Sequence, residues 1–132
     1  MEPLSITALY GGLLALVYLW LTAMVVRHRR SKRISLGDGG DHAVEKSIRG
    51  QGNAAEQIPI AVIVMGLAEV MGTSPIALHI AGLMLLIGRI AHGAHFNGLI
   101  GFQWRPRGMV LTLAATAYLA IEAVIRSTLS LI

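Results

Sequence analysis

An uncharged run near the start of the chain is the feature that most restricts its fold. No charged residue occurs between Pro3 and Val26, and the run is rich in leucine, alanine and valine. A hydrocarbon core of about 30 Å needs about 20 residues of α-helix, because a helix satisfies its backbone hydrogen bonds within one segment. The run therefore predicts a membrane-spanning helix that is retained as an anchor. The composition agrees, since 55% of the residues are hydrophobic and only 14% are charged.

Three further apolar segments follow, and polar turns separate them. Ser74 and Pro75 suit the first positions of a helix, while GDGG (Gly37 to Gly40) and NGLIGFQWRPRG are typical of connections. Short connections favour antiparallel neighbours. The sequence thus predicts one domain over residues 1–132, an all-α integral membrane four-helix bundle with up-down topology. Its helices are expected at about residues 4–27, 42–70, 75–96 and 108–126.

The basic residues gather at one end of the predicted bundle. Of the 11 lysines and arginines, all except Arg126 lie beside the first or the third connection. Lysine and arginine next to membrane segments set the topology and attract anionic lipid. The positive-inside rule makes this end cytoplasmic and puts both termini outside. No nucleic-acid partner is expected, because no recognised binding module accompanies the basic residues and aromatic residues make up only 5% of the chain.

The second apolar segment begins with polar residues, RGQGNAAEQIPI from Arg49 to Ile60. Arg49, Asn53 and Glu56 are spaced i, i+4, i+7 and therefore share one helix face. A charged residue at the bilayer centre costs about 2.5–3.5 kcal/mol, so such residues usually face a bundle interior or a wet cavity. Two interpretations follow: a ligand pocket near the membrane surface, or a buried Arg49–Glu56 ion pair that joins helices.

The pattern R-x-x-x-N-x-x-E-x-x-P, formed by Arg49, Asn53, Glu56 and Pro59, resembles the second-helix signature of the MAPEG family, the membrane-associated proteins of eicosanoid and glutathione metabolism. The four segments and the basic first connection are similar as well, most of all to small bacterial members. The resemblance implies a homotrimer in the bacterial inner membrane, with glutathione as co-substrate between neighbouring protomers, toward the cytoplasm. It implies that the glutathione-binding residues are Arg30, Arg49, Gln51, Asn53 and Glu56.

The chemistry of glutathione suits the second-helix residues. Arg49 can bind a carboxylate through two parallel hydrogen bonds, and Glu56 can pair with the ammonium group. Asn53 can both donate and accept. The chain has no cysteine, so any reacting thiol has to arrive with a substrate. The arginines after the first segment can draw an anionic peptide toward the membrane, although each is equally a topology signal.

Members of the family activate the glutathione thiol and add it to a lipophilic electrophile, or reduce hydroperoxides with it. The resemblance gives this role to an arginine near the start of helix four or to a helix-dipole contact, and QWRPRG offers Arg105 and Arg107. His92 is a further catalytic candidate, because His92 and Phe96 occupy places where leukotriene-type members carry tyrosines. His92 can donate a hydrogen bond and Phe96 cannot. Alternatively, both arginines are topology anchors beside an interfacial Trp104.

Other residues have simpler interpretations. His92 and His95 form an H-x-x-H pair, which is too few ligands for a zinc site unless Glu56 joins them, and no metal site is expected. Glu69 is predicted to pair with His79 across the MGTSP turn. Small residues of the fourth segment predict close helix packing: Ala114, Ala115, Ala117, Ala120 and Ala123.

Two classes of function compete. The first is a glutathione transferase-type enzyme, with hydroperoxide reduction as a further activity. The second is a non-catalytic membrane scaffold that binds lipid or another anionic ligand. Phe96 favours the scaffold, whereas Arg49, Asn53 and Glu56 favour the enzyme. A transporter is disfavoured, because no pair of interrupted helices is evident. The expected partners are glutathione, a hydrophobic small molecule or lipid, the membrane lipids, and further copies of the chain.

Overall fold

The computed structural model describes residues 4–132, which form four α-helices and no β-strand. Each helix is long and apolar enough to cross a membrane. The start of α1 is hydrogen-bonded to the end of α2, and the end of α4 to the turn before α3, so consecutive helices run antiparallel. The prediction of an all-α four-helix membrane bundle is confirmed. The helices are α1 (Ser5–Lys32), α2 (His42–Val70), α3 (Pro75–Phe96) and α4 (Trp104–Ser130).

The first and last helices are longer than the sequence pattern predicted, whereas α2 and α3 have the expected bounds. α1 continues through the arginine-rich segment to Lys32 and ends where Arg33 adopts a left-handed conformation with φ 57°. α4 already begins at Trp104 and includes Pro106 in its first turn. Proline is tolerated there, because the first amides of a helix have no partner within it. The arginines at the end of α1 and Pro106 at the start of α4 therefore lie within their helices and do not interrupt them.

Asp41 starts α2 and ties it to the end of α1. Its carboxylate accepts hydrogen bonds from the backbone N–H groups of Ala43 and Val44, at 3.0 and 3.1 Å. The second carboxylate oxygen lies 3.0 Å from Lys32 Nζ. The hydrogen bond from Lys32, followed by that from the Val44 amide, holds the pKa of Asp41 below its usual value. Ser74 precedes α3 as expected, but its side chain makes no capping hydrogen bond.

The bundle is centred on α2 and α3. Within residues 4–132, α1 and α4 do not contact each other and lie on opposite sides of this central pair. We call the end where α1 and α3 finish the basic end, and the opposite end the far end. The main hydrophobic core runs from the far end to mid-bundle, and its large side chains are fully enclosed: Leu14, Met65, Leu85 and Leu119.

α3 and α4 meet backbone to backbone at a pair of glycines. A Cβ atom on Gly88 would lie 2.8 Å from the Gly108 carbonyl oxygen, and one on Gly108 would lie 2.6 Å from the Gly88 carbonyl oxygen. Neither position has room for a side chain. The alanines of α4 were expected to provide the close packing, but only Ala115 of the five is buried. The closest approach therefore falls on glycines near the basic end of the interface.

At the far end, Glu69 has a different partner from the one predicted. Its two carboxylate oxygens accept hydrogen bonds from the backbone N–H groups of Ile6 and Thr7, at 2.9 and 2.7 Å. These amides belong to the first turn of α1, where a helix has no acceptors of its own. His79 instead shares a 3.2 Å hydrogen bond with the Tyr10 hydroxyl. The predicted Glu69–His79 pair is therefore wrong, because free helix amides attract the carboxylate.

Candidate functional site

A cavity of about 660 Å³ opens near the basic end, between α2, the last turns of α3 and the start of α4. Its size falls within the usual range of about 300–1,000 Å³ for small-molecule sites. Polar side chains come from α2, while aromatic and apolar side chains come mainly from α3 and α4. The lining residues are Ile48, Arg49, Gly52, Asn53, Glu56, His92, Phe96, Phe102, Arg105, Pro106 and Met109.

The polar stripe predicted on α2 lines one wall of this cavity. Arg49, Asn53 and Glu56 all contribute to it, because their spacing places them on the same face. The alternative of a buried Arg49–Glu56 ion pair is wrong. Both side chains are exposed in the protomer, and neither belongs to any ion pair found in residues 4–132. Two helical turns separate them, so their charges remain free for a ligand.

Arg89 lies behind this wall and is the most important residue that the sequence did not assign to the site. It is only 2% exposed. Its Nη1 atom donates a 2.8 Å hydrogen bond to Asn53 Oδ1, and its Nε atom donates one of 2.8 Å to Thr112 Oγ1. Arg89 thus joins α3 to the cavity wall on α2 and to α4. The sequence places it on the same face as His92 and Phe96, at spacings of three and seven residues, and this was the available signal.

An aromatic wall faces the polar stripe. His92 is 3% exposed, and its ring centroid lies 4.9 Å from that of Phe96. His95 packs edge-on against Phe96 and Phe102, with centroid distances of 5.4 and 5.7 Å. Gly50 makes room for this wall, because a Cβ atom there would lie 2.6 Å from the Phe96 Cβ. Within residues 4–132, no group of three histidine, aspartate or glutamate side chains converges as a metal site requires.

The two arginines at the start of α4 have different surroundings. The Arg105 guanidinium lies 5.2 Å from the Phe96 ring centroid and lines the cavity. The Arg107 guanidinium lies 5.2 Å from the centroid of the Trp104 ring and does not line it. Both contacts are within the range of cation–π interactions. The structure therefore brings Arg105 to the candidate site and leaves Arg107 outside it, against Trp104.

Arg30 and Gln51, the remaining predicted binding residues, do not line the cavity of the same protomer. Gln51 Nε2 donates to the Tyr18 hydroxyl at 3.0 Å and lies 3.4 Å from Thr22 Oγ1, on the side of α2 that faces α1. Arg30 lies with Arg27 on a shallow groove along α1. Their assignment to glutathione remains a prediction, and for Arg30 it depends on a neighbouring copy of the chain.

A model described as "MAPEG family" matches residues 7–125. The chain belongs to the MAPEG family. It is also 40% identical over 110 residues to inner membrane protein YecN of Escherichia coli strain K12, a match that covers 83% of both chains. The protein of the same name from E. coli O6:H1 strain CFT073 gives the same identity and coverage.

Family membership makes this chain a membrane protein of a glutathione transferase-like family. In this MAPEG protein three of the four signature residues, Arg49, Asn53 and Glu56, line the cavity of about 660 Å³ near the basic end. The match from residue 7 to 125 includes all the lining residues and their buried support from Arg89. The cavity is therefore the place at which the function of the protein is best sought.

Proposed function

We propose that this MAPEG protein binds glutathione in the cavity at the basic end and activates its thiol for addition to a lipophilic electrophile. One observation carries the proposal: Arg49, Asn53 and Glu56 on α2 converge with Arg105 of α4 around a single cavity of ligand size. These groups can bind carboxylates, an amide and an ammonium, and glutathione contains all three. Hydroperoxide reduction by the same thiolate is a second activity within the proposal.

The charges around the cavity favour an anionic ligand. Arg49 and Arg105 line it, and Arg89 is bonded to its wall, whereas Glu56 is the one carboxylate in the lining. Positive charge therefore exceeds negative charge by two. Glutathione has two carboxylates and one ammonium, and its thiolate adds a further negative charge. The thiolate form thus carries two net negative charges and balances the cavity.

Glu56 and Arg49 lie two turns apart on one helix face, which separates the groups they would hold. At 1.5 Å per residue, their seven-residue spacing corresponds to about 10 Å along the helix. The Arg49 fork pairs with a carboxylate of glutathione, and Glu56 accepts from its ammonium group. The Asn53 amide lies between them and donates to the second carboxylate, which shares a carbon atom with the ammonium group. In the proposed arrangement the contacts of α2 hold the ends of glutathione, and its cysteine faces Arg105 at the start of α4.

Arg105 is the group that stabilises the thiolate in this proposal. Lowering the pKa of a thiol by about two units corresponds to about 2.7 kcal/mol. One hydrogen bond to a charged group contributes about 1.5–3 kcal/mol, so one guanidinium is sufficient. The backbone of α4 is a poorer source of donors. The amides of Trp104 and Arg105 already donate to the Gly101 and Phe102 carbonyl groups, and Pro106 has no N–H.

The second substrate is a lipophilic molecule. The apolar part of the cavity lining comprises Ile48, Phe96, Phe102, Pro106 and Met109. Arg105 contacts this surface through the Phe96 ring. Phe102 is 67% exposed and Trp104 is 39% exposed at the start of α4, where aromatic side chains commonly sit at a membrane interface. An electrophile dissolved in the membrane therefore has an apolar surface beside the proposed thiolate.

The proposal places the protein in a bacterial inner membrane as a homotrimer, with both termini outside and the cavity toward the cytoplasm. The basic end of the bundle supports this orientation through the positive-inside rule. The exposure of Arg49 and Glu56 in one protomer supports a site that a neighbouring protomer completes, with Arg30 as its contribution. Chemical cross-linking in native membranes tests the trimer, and labelling of a cysteine introduced near either terminus tests the orientation.

The activation step is tested by comparing Arg105→Ala with Arg107→Ala. In detergent-solubilised protein at neutral pH, the ultraviolet difference spectrum of added glutathione reports the thiolate. We expect a thiolate signal in the wild type, at least a tenfold loss of the thiolate fraction in Arg105→Ala, and an unchanged signal in Arg107→Ala. The two variants remove the same charge two residues apart, so a general electrostatic effect would reduce both signals equally.

A second candidate function is a non-catalytic scaffold that binds an anionic ligand or lipid. Phe96 favours it, because this side chain lines the cavity without the hydroxyl of the tyrosines it replaces. Calorimetric titration with glutathione separates the candidates. Binding without a thiolate signal in the wild type would support the scaffold, and absence of binding would overturn the glutathione proposal.

A further inference from the structure

Arg89 is a buried cation whose bonding partners are all neutral. Its guanidinium donates to Asn53 Oδ1 and Thr112 Oγ1, and its Nη2 atom lies 3.9 Å from Met109 Sδ. None of the ion pairs found between residues 4 and 132 includes it. The Thr112 hydroxyl can accept from Arg89 because its own proton is donated to the Gly108 carbonyl, at 2.9 Å. A buried charge normally has a charged partner, and here the protomer supplies none.

The hydrogen bond from Arg89 determines which way the Asn53 amide faces. A guanidinium has donors and no acceptor, so the atom of Asn53 that it contacts has to be the carbonyl oxygen. The Asn53 nitrogen is then turned away from Arg89, and Asn53 is one of the residues that line the cavity. No acceptor bonds this nitrogen in the described part of the chain. Its two N–H groups are therefore available to a ligand.

We propose that Arg89 is a positioning residue for the cavity: it orients the Asn53 amide as a donor, and its buried charge is balanced by an anionic ligand at that amide. This inference rests on the proposed function, since glutathione is the anion. In this inference a carboxylate of glutathione accepts a hydrogen bond from the Asn53 nitrogen and brings its negative charge close to Arg89. A cationic or donor-only ligand is excluded from the same position.

The substitution Asn53→Asp tests this inference without disturbing packing. Aspartate has the same shape and keeps an oxygen for Arg89, but it presents a second oxygen to the cavity in place of the nitrogen. It also supplies the missing negative charge. We expect the melting temperature of the ligand-free protein to rise, and the affinity for glutathione, measured by calorimetry, to fall at least tenfold. Stability and affinity thus move in opposite directions.

Asn97→Asp is the matched control. Asn97 lies at the end of α3, accepts from the Ser47 hydroxyl at 2.8 Å and does not line the cavity. The substitution adds the same charge to the same end of the bundle. We expect it to lower glutathione affinity less than threefold and not to raise the melting temperature. An equal loss of affinity in both variants would show that the added negative charge alone weakens glutathione binding. That result would overturn the role of Arg89.

Arg89→Lys provides a second variant. Lysine keeps the positive charge but cannot hold Asn53 and Thr112 with a planar fork, so we expect a three- to tenfold loss of affinity. If wild-type protein binds no glutathione, the proposed function fails and the inference falls with it. If the wild type binds and Asn53→Asp binds equally well, the inference alone fails. An Asn53→Asp protein that melts lower than the wild type, or does not fold, also overturns it.

Discussion

The two ends of the bundle use the same kinds of charged side chain in opposite ways. At the far end, Glu69 accepts from two amides of α1, and the Glu122 carboxylate lies 2.6 Å from Arg126 Nε. Arg126 also donates to the Gly72 carbonyl, at 2.9 Å. At the cavity, Arg49 and Glu56 line an open space and form no ion pair within residues 4–132.

The difference shows which charges hold the fold and which are free for a ligand. A carboxylate that accepts from the buried first turn of a neighbouring helix stabilises the bundle, because breaking the contact leaves buried amides without acceptors. A partly exposed pair such as Glu122–Arg126 contributes less. A charge that lines a cavity and has no partner contributes little to stability. The contrast predicts that substitutions of paired charges at the far end alter stability without altering binding, and that substitutions of the unpaired charges lining the cavity alter binding without altering stability.

The largest effect is expected for Glu69→Ala at the far end. The substitution removes two hydrogen bonds from a carboxylate to the first turn of α1, each contributing about 1.5 kcal/mol. We expect the free energy of unfolding to fall by about 3 kcal/mol, as measured by thermal or denaturant unfolding in detergent, with glutathione affinity unchanged in the folded fraction.

Glu45→Ala on the same helix is the matched control for Glu69→Ala. Glu45 is exposed and contacts only His42, at 3.4 Å, so we expect a change of less than about 0.5 kcal/mol. Equal destabilisation by the two substitutions would show that the contact of Glu69 with α1 has no special contribution.

A change in binding without a change in stability is expected for Glu56→Gln at the cavity. The substitution keeps the shape and removes the charge that pairs with the ammonium of glutathione. We expect about a tenfold loss of affinity by calorimetry, equivalent to about 1.4 kcal/mol, and a melting temperature within one degree or so of the wild type. Glu122→Gln should show the mirror image, with lower stability and normal affinity. A Glu56→Gln protein with lower stability and normal affinity would contradict the conclusion that the cavity charges serve binding and the far-end charges serve stability.

The smallest effect concerns the Lys32–Asp41 contact between α1 and α2. Because the folded-state pKa of Asp41 lies below its usual value of 3.8, its stabilising contribution is complete above that value. The contribution is lost as the pH falls through the lower folded value. We expect the difference in melting temperature between wild type and Asp41→Asn to be constant from pH 5 to 7 and to shrink below about pH 4. A difference that grows on acidification would contradict this assignment.

Local spacing was sufficient to predict one wall of the cavity. Arg49, Asn53 and Glu56 share a helix face regardless of how the other helices pack. The sequence of α2 alone was therefore enough to predict that they act together. The bounds of α2 and α3 followed from local signals for the same reason. The start of α4 was missed, because the glycines and proline before Gly108 are typical of a connection, although Pro106 occupies a helix position that tolerates proline.

The remaining features depend on contacts between helices, which spacing does not encode. Asn53 and Arg89 are 36 residues apart in sequence, and their hydrogen bond exists because α2 and α3 pack together at that level. Arg105 and Arg107 are the same residue type two positions apart, so the sequence does not distinguish their roles. The structure does, because Arg105 contacts Phe96 and Arg107 contacts Trp104. Glu69 accepts hydrogen bonds from backbone amides instead of pairing with His79, because the free N–H groups of α1 lie close to it.

The length of α1 fixes the height of its arginines above the bilayer. Its 28 residues span about 42 Å, whereas the hydrocarbon core is about 30 Å thick. Since residues 5–26 are uncharged, the excess of about two turns extends beyond the hydrocarbon core at the basic end and carries Arg27, Arg29 and Arg30 into the headgroup region. Lipid headgroups and dissolved anions then compete for the same cations. The supply of an anionic solute to this surface consequently depends on the lipid composition of the membrane as well as on salt.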